Sequence, residues 1–170
     1  AQSAMSSHDA LMVASGITTV LDAVALGDVR DGGDRLENLE KMINAVMDSQ
    51  ARGVNRAEHR LHLRCELPHH TTLPLFQQLI ERSGVSLVSL MDHSPGQRQF
   101  ANLVKYREYY QGKYSLSDTE MNSYEADQLA LAERWSQPNR LAIAAECSAR
   151  NIALASHDDA TAAHVVESHE

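Results

Sequence analysis

The chain has 170 residues, 43% hydrophobic and 22% charged, enough for one domain with a sizeable core. With 23 acidic residues against 15 basic ones, its formal net charge of -8 argues against a general nucleic-acid or anionic-membrane surface. Two cysteines, Cys65 and Cys147, without C-x-x-C spacing, argue against a disulfide framework or a Cys-rich zinc site. Nine histidines turn any metal reading toward His and carboxylate ligands, a set that suits zinc, manganese, iron or nickel. No apolar stretch reaches membrane-spanning length, and no basic start leads into an apolar signal region, so a cytoplasmic location is the expectation.

In chain order, residues Ser6–Ser15 read as a short helix that Ser7 caps, broken by Gly16. Ile17–Ala25 is almost wholly apolar and β-branched at first, as in a parallel strand buried on both faces. A loop through Gly27, Asp28, Gly32 and Gly33 leads to a helix over Arg35–Arg52, with Leu36, Leu39, Ile43 and Val46–Met47 on one side. Leu61–Cys65 is the next strand, and period two puts His62, Arg64 and Glu66 on one side of it. A helix over Leu73–Ser83, a strand over Val85–Met91 and a Pro-Gly turn at Ser94–Phe100 follow. Helical spacings then cover Ala101–Gly112, Leu116–Trp135 (started by Ser115 or Ser117) and Asn139–Arg150, which Asn151 ends. Ile152–Ser156 is the last strand, and a final helix begins near Asp159 or Thr161. No Asn-Gly hairpin signal separates the strands, so the reading is an α/β fold of parallel β/α units.

Three apolar runs deliver metal-capable or acidic side chains as they end: LHLRCE at Leu61–Glu66, VSLVSLMDH at Val85–His93 and IALASHDD at Ile152–Asp159. Parallel α/β folds place active sites at the carboxyl edge of the sheet. Glu66, His93 and His157 are therefore candidate metal ligands. For Glu66 the alternative is an ion pair with Arg64 or a helix cap. Asp92, next to His93, is a candidate for fixing that ring's tautomer. Arg98, with Gln97, follows His93 on a turn and is a candidate phosphate contact, the alternative being a bridge to a nearby Asp. Lys105, Arg107 and Lys113, with Tyr106, Tyr109, Tyr110 and Tyr114, form a basic–aromatic patch, able to close over a phosphorylated substrate or to lie as a solvated face. Asp22, inside the first strand, needs a partner; His59 and His62 approach either the mouth or the bottom of the sheet.

The segments SSHDALMVASGITTVLDAVALGD (Ser6–Asp28), LHLRCELPH (Leu61–His69), DHSPGQRQF within Val88–Phe100 and LASHDDAT (Leu154–Thr161) resemble phosphonate-utilisation enzymes of the amidohydrolase superfamily, and the likeness runs through nearly the whole chain. That resemblance implies part of a metal-dependent (β/α)8 TIM barrel. It implies hydrolysis of α-D-ribose 1-methylphosphonate 5-triphosphate to the 5-phosphate and pyrophosphate, with a divalent metal, foremost zinc. Glu66 matches the acidic ligand of such enzymes, His93 and His157 the next two ligands, and Asp158 or Asp159 a supporting acid, Asp158 being the candidate for a catalytic role. The family's first-strand His-x-His or His-x-Asp pair and its late barrel Asp have no counterpart here. Residues 1–170 thus read as the central part of a barrel, expected to be inactive alone and to cover its edges by self-association or by further chain segments. Two other classes stay open: an amidohydrolase acting on a cyclic amide or amine C–N bond, and a non-catalytic α/β module with structural histidines.

Overall fold

The computed structural model describes residues 2–27, 34–82 and 84–169, with the backbone alone at 34–37. The expected loop through Asp28, Gly32 and Gly33, the side chain of Leu36 and the helix end at Ser83 lie outside the described residues. The element order is α1 (Gln2–Ala14), β1 (Thr19–Leu26), α2 (Asp34–Ala51), β2 (Glu58–Glu66), α3 (Thr72–Leu79), β3 (Val85–Met91), a 3-10 turn (Arg98–Phe100), α4 (Leu103–Tyr114), α5 (Asp118–Arg150), β4 (Ala153–Ser156) and α6 (Ala162–His169).

All strand pairs are parallel, and the sheet order is β1-β2-β3-β4. Each new strand is laid beside the previous one, and the order never reverses. Doubly wound sheets reverse their order at a switch point; singly wound barrels do not. The sheet is therefore an arc of the kind from which a (β/α)8 barrel is built, as the family resemblance implies; the spacing of strands and helices predicted parallel β/α units and left an open sheet equally possible.

Alternation along the strands separates two faces. Val24, Leu26, Leu61, Leu63, Cys65 and Val88 point to one side and pack with Leu39, Ile43 and Val46 of α2, Phe76 and Leu79 of α3, and Ile143 and Cys147 of α5. Each fully buried Leu or Phe there contributes roughly 1.5–3 kcal/mol. The other side carries Ala23 and Ala25 of β1 beside His62 and Arg64 of β2, with Ser89 opposite Arg64 and Met91 opposite Glu66. A one-residue bulge at Ser86 changes the β2–β3 register between Leu61 and His62 and sets those last two pairs. A second small core joins α4 to the start of α5 through Phe100, Tyr106, Tyr110 and Met121.

The structure corrects three local expectations. Helix α1 begins at Gln2, so Ser7 is a mid-helix residue and not its cap. The two helices expected over Leu116–Trp135 and Asn139–Arg150 are one, α5, which runs through Pro138. Proline removes one N–H and crowds the carbonyl four residues back. The helix continues because its flanks are held: the Asn139 amide donates to the carbonyls of Leu67 (2.8 Å) and His69 (3.1 Å), while Ile143 and Cys147 sit in the core. The start of α5 is a capping box of Ser117 and Glu120; Ser115 instead closes α4 in the left-handed conformation.

Candidate metal centre at the carboxyl edge

β2 ends at Glu66, β3 leads through Asp92 to His93, and β4 leads to His157 and Asp158. Parallel pairing brings these three ends to one edge of the sheet. Glu66 is buried, and both its oxygens are taken by His93: the backbone N–H donates to Oε1 at 3.0 Å and Nδ1–H to Oε2 at 2.6 Å. This bond assigns the proton of neutral His93 to Nδ1 and leaves the Nε2 lone pair for a ligand. The His93 and His157 rings meet edge to face, centroids 5.6 Å apart. His93, His157 and Asp158 each offer one ligand atom, all within 4.8 Å of one another.

Arg64 stands beside them, its guanidinium donating to His157 Nε2 at 3.3 Å, and the Asp158 carboxylate lies 3.1 Å from the same nitrogen. The two rings are driven apart in basicity. Burial works to lower His93, but the hydrogen bond and charge of Glu66, with help from Asp158, carry it above the ordinary histidine value. Burial, with the charges of Arg64 and His93, holds His157 below that value despite Asp158. A neutral His157 is already in the form that binds metal.

Arg64, Glu66 and His93 border a cavity of about 390 Å³ whose other walls include Ala25, Met91, Gln99, Tyr110 and Lys113. Lys113 lies 5.2–5.6 Å from the ring centres of Tyr109, Tyr110 and Tyr114, and with Tyr109 and Tyr110 it lines the same cavity as Glu66 and His93. Arg107 of the same patch is turned away to Glu125 and Asn122. Gly27, at φ +81°, closes the end of β1 against this edge: a Cβ there would stand 3.1 Å from His69 Cβ and 3.2 Å from Glu66 Cβ, and would overlap the Thr72 hydroxyl. That hydroxyl donates to the Glu66 carbonyl at 2.6 Å.

Of the residues expected at the site, Glu66, His93, His157 and Asp158 share this edge. Glu66 reaches the cluster through His93 and is not itself within the 4.8 Å group. Arg98 is buried, at φ +47°, and its guanidinium is engaged by Asp159 and by Glu167 (2.5 Å). Asp92 does not orient His93. Its carboxylate accepts from Ser94 and from the Ser136 hydroxyl at 2.8 Å, because adjacent residues leaving a strand point to opposite sides. Arg64 and Lys113 are the cations the structure adds to the mouth. The period-two pattern of β2 held the signal for Arg64. Lys113 stood among several equivalent cations until α4 was placed.

The donor set of two imidazoles and a carboxylate, with Glu66 behind one ring, fits a divalent metal once the Arg64 guanidinium turns from His157 Nε2. A second His–carboxylate group, formed by His8, Asp22 and His59, meets the same distance criterion at the opposite end of the strands. No helix among the described residues is long and apolar enough to cross a membrane.

Over all 170 residues the chain is 81% identical to the alpha-D-ribose 1-methylphosphonate 5-triphosphate diphosphatase of Escherichia coli (strain K12). No family model and no solved structure matches the chain. The chain spans 45% of the length of that enzyme, and close homology over that portion is what the comparison establishes.

Proposed function

We propose that this chain is the central portion of an amidohydrolase-type barrel enzyme that hydrolyses α-D-ribose 1-methylphosphonate 5-triphosphate to the 5-phosphate and pyrophosphate. The observation that carries the substrate is the 81% identity to an enzyme of that name. The chemical class is supported by the geometry: a His–His–carboxylate group at the carboxyl edge of a parallel sheet, whose His93 shares a cavity with Arg64 and Lys113.

His93, His157 and Asp158 hold a divalent ion of the zinc, manganese, iron or nickel class, which supplies Lewis acidity toward water and phosphoryl oxygen. Glu66 keeps His93 in the Nδ1–H tautomer and fixes its ring. Arg64 and Lys113 offset the negative charge of the triphosphate and orient it in the mouth. Tyr109 and Tyr110 line the cavity on the α4 side. Arg98 positions the loop after β4, which carries His157 and Asp158, by gripping Asp159 and Glu167. The edges of β1 and β4 are covered by further β/α units of the same polypeptide or by a second copy.

The test is 31P NMR of the full-length protein incubated with the ribosyl triphosphate and a divalent metal. Pyrophosphate and the 5-phosphate are expected in equal amounts. Turnover of cyclic amides with no pyrophosphate release would replace this reading by the C–N hydrolase, and inertness toward both, with unchanged behaviour after His93→Ala and His157→Ala, by a non-catalytic module.

A further inference from the structure

The amino end of the sheet carries a separate constellation on the helix-covered side. Asp22 of β1 faces two rings: Oδ1 lies 2.9 Å from His8 Nε2 of α1, and Oδ2 lies 2.7 Å from His59 Nδ1 of β2. The other nitrogen of His59, Nε2, faces Asp9 Oδ1 at 3.3 Å. That Asp9 oxygen also accepts the backbone N–H groups of Arg56 (3.0 Å) and Ala57 (2.9 Å). The His59 side chain is wholly buried (0% exposed) and His8 is 39% exposed.

A neutral imidazole has one N–H, yet each nitrogen of His59 faces a carboxylate. One proton on His59 satisfies Asp9 or Asp22, not both. A divalent cation in place of the Nδ1 proton resolves this. His59 Nδ1, one oxygen of Asp22 and His8 Nε2 then face the ion, and all three ligand atoms already lie within 4.8 Å of one another. His59 Nε2–H donates to Asp9, the carboxylate–histidine support by which metal-bound imidazoles are held. The ion also balances the two carboxylates. Access exists from a groove of about 610 Å³ lined by Met5, His8, Asp22, Lys41 and Met42.

We propose that His8, Asp22 and His59 form a second, structural divalent-metal site of the zinc class, which clamps α1 onto β1 and β2. It is independent of the proposed hydrolysis. At about 3.3 Å per strand residue, His59 lies on the order of 20 Å from Glu66 along β2, and it faces the opposite side of the sheet. The carboxyl edge of such sheets serves chemistry, and the amino edge serves stability.

The experiment uses the full-length protein carrying His93→Ala and His157→Ala, which disables the upper centre, with cobalt(II) and zinc(II) as probes. Adding His8→Ala, a substitution at a half-exposed residue, is expected to remove one equivalent of cobalt or weaken its binding about tenfold or more. It should also abolish a zinc-dependent rise in melting temperature. His8→Cys, in the same background, is expected to add a thiolate-to-cobalt charge-transfer band. Unchanged cobalt stoichiometry and affinity in His8→Ala, or a cobalt complex of His8→Cys without that band, overturns the site and leaves a proton-linked clamp in its place.

Discussion

Glu66→Gln tests the link on which the upper centre depends. The carboxylate accepts two hydrogen bonds from His93, at 3.0 and 2.6 Å, in a buried setting. Glutamine keeps one oxygen for the backbone N–H but turns an NH2 group toward Nδ1. The ring must then accept at Nδ1 and carry its proton on Nε2, the nitrogen otherwise left for a ligand. A hydrogen bond to a charged group is worth about 1.5–3 kcal/mol. Loss of a carboxylate behind a metal-bound histidine costs about 10–100-fold in metal affinity, or about 1.4–2.8 kcal/mol, so two independent estimates agree. The assay is a cobalt or zinc titration of the full-length protein against pH. In the native chain the His93 pKa lies above 6.5, so protons compete with metal beginning above that pH, and affinity falls as pH drops through the raised value. For the metal-free fold the sign is that of a raised group: the Glu66–His93 contribution is fully present below the unfolded pKa and fades as pH rises through the folded one. In Glu66→Gln the proton competition should move down toward the ordinary histidine range while the pH-independent affinity drops by the stated factor. Native affinity and an unshifted pH profile in the variant would refute the orienting role of Glu66.

Gly27→Ala should destabilise the chain by about 1–3 kcal/mol, since it combines a left-handed φ with a clash at Thr72 and close approach to Glu66; a urea midpoint equal to wild type would contradict this. Lys113→Met should raise KM for the triphosphate about 10–100-fold with kcat little changed, as expected for a charged phosphate contact. Arg98→Met should chiefly lower the urea midpoint, by about 1.5–3 kcal/mol of stability, because it removes charged hydrogen bonds to Asp159, which keeps the Ser156 and Ser168 hydroxyls, and to Glu167, which keeps Arg140; a pure KM effect instead would make Arg98 the substrate contact. The backbone N–H of Ala57 foremost, with that of Arg56 and the ring of His59, holds the Asp9 carboxyl below its ordinary 3.8 against the opposing effect of burial. A depressed group contributes stability above the unfolded pKa and loses it as pH falls through the folded one. The stability gap between wild type and Asp9→Asn should therefore be constant near neutrality and close below 3.8; a gap unchanged at lower pH would show that charge is irrelevant there.

The strands and their parallel sense were legible because the apolar runs are short, lack hairpin turns between them and are separated by helix-length periodic segments. The carboxyl-edge residues were legible for the same reason: Glu66, His93 and His157 each follow an apolar run. Their division of labour was not. Sequence adjacency suggested that Asp92 orients His93, but a residue and its successor leave a strand on opposite sides, and the partner came from Glu66 on the neighbouring strand. The surroundings of Arg98 depend on α6, far along the chain, supplying Glu167. Asp22 was visible as a buried acid in want of a partner, and His59 only as a histidine that approaches either end of the sheet. Their completion by His8 and Asp9 required knowing how α1 packs, which local periodicity does not encode.

β2 shows how one strand serves unlike demands. Leu61, Leu63 and Cys65 face the helices and hold α2, α3 and α5 to the sheet. His62, Arg64 and Glu66 face the other way, with His62 against the Ser89 hydroxyl at 2.8 Å, Arg64 against His157 and Glu66 against His93. His59 belongs by parity to the helix-facing set, but at that level the apolar core has given way to the carboxylates of Asp9 and Asp22. A one-residue slip of β2 would therefore bury Arg64 and Glu66 among the apolar side chains of the helices and turn Leu63 and Cys65 into the mouth. The cost of burying those charges fixes the register as firmly as the burial of the leucines does. In this chain the residues proposed for chemistry also enforce the strand alignment that brings them together.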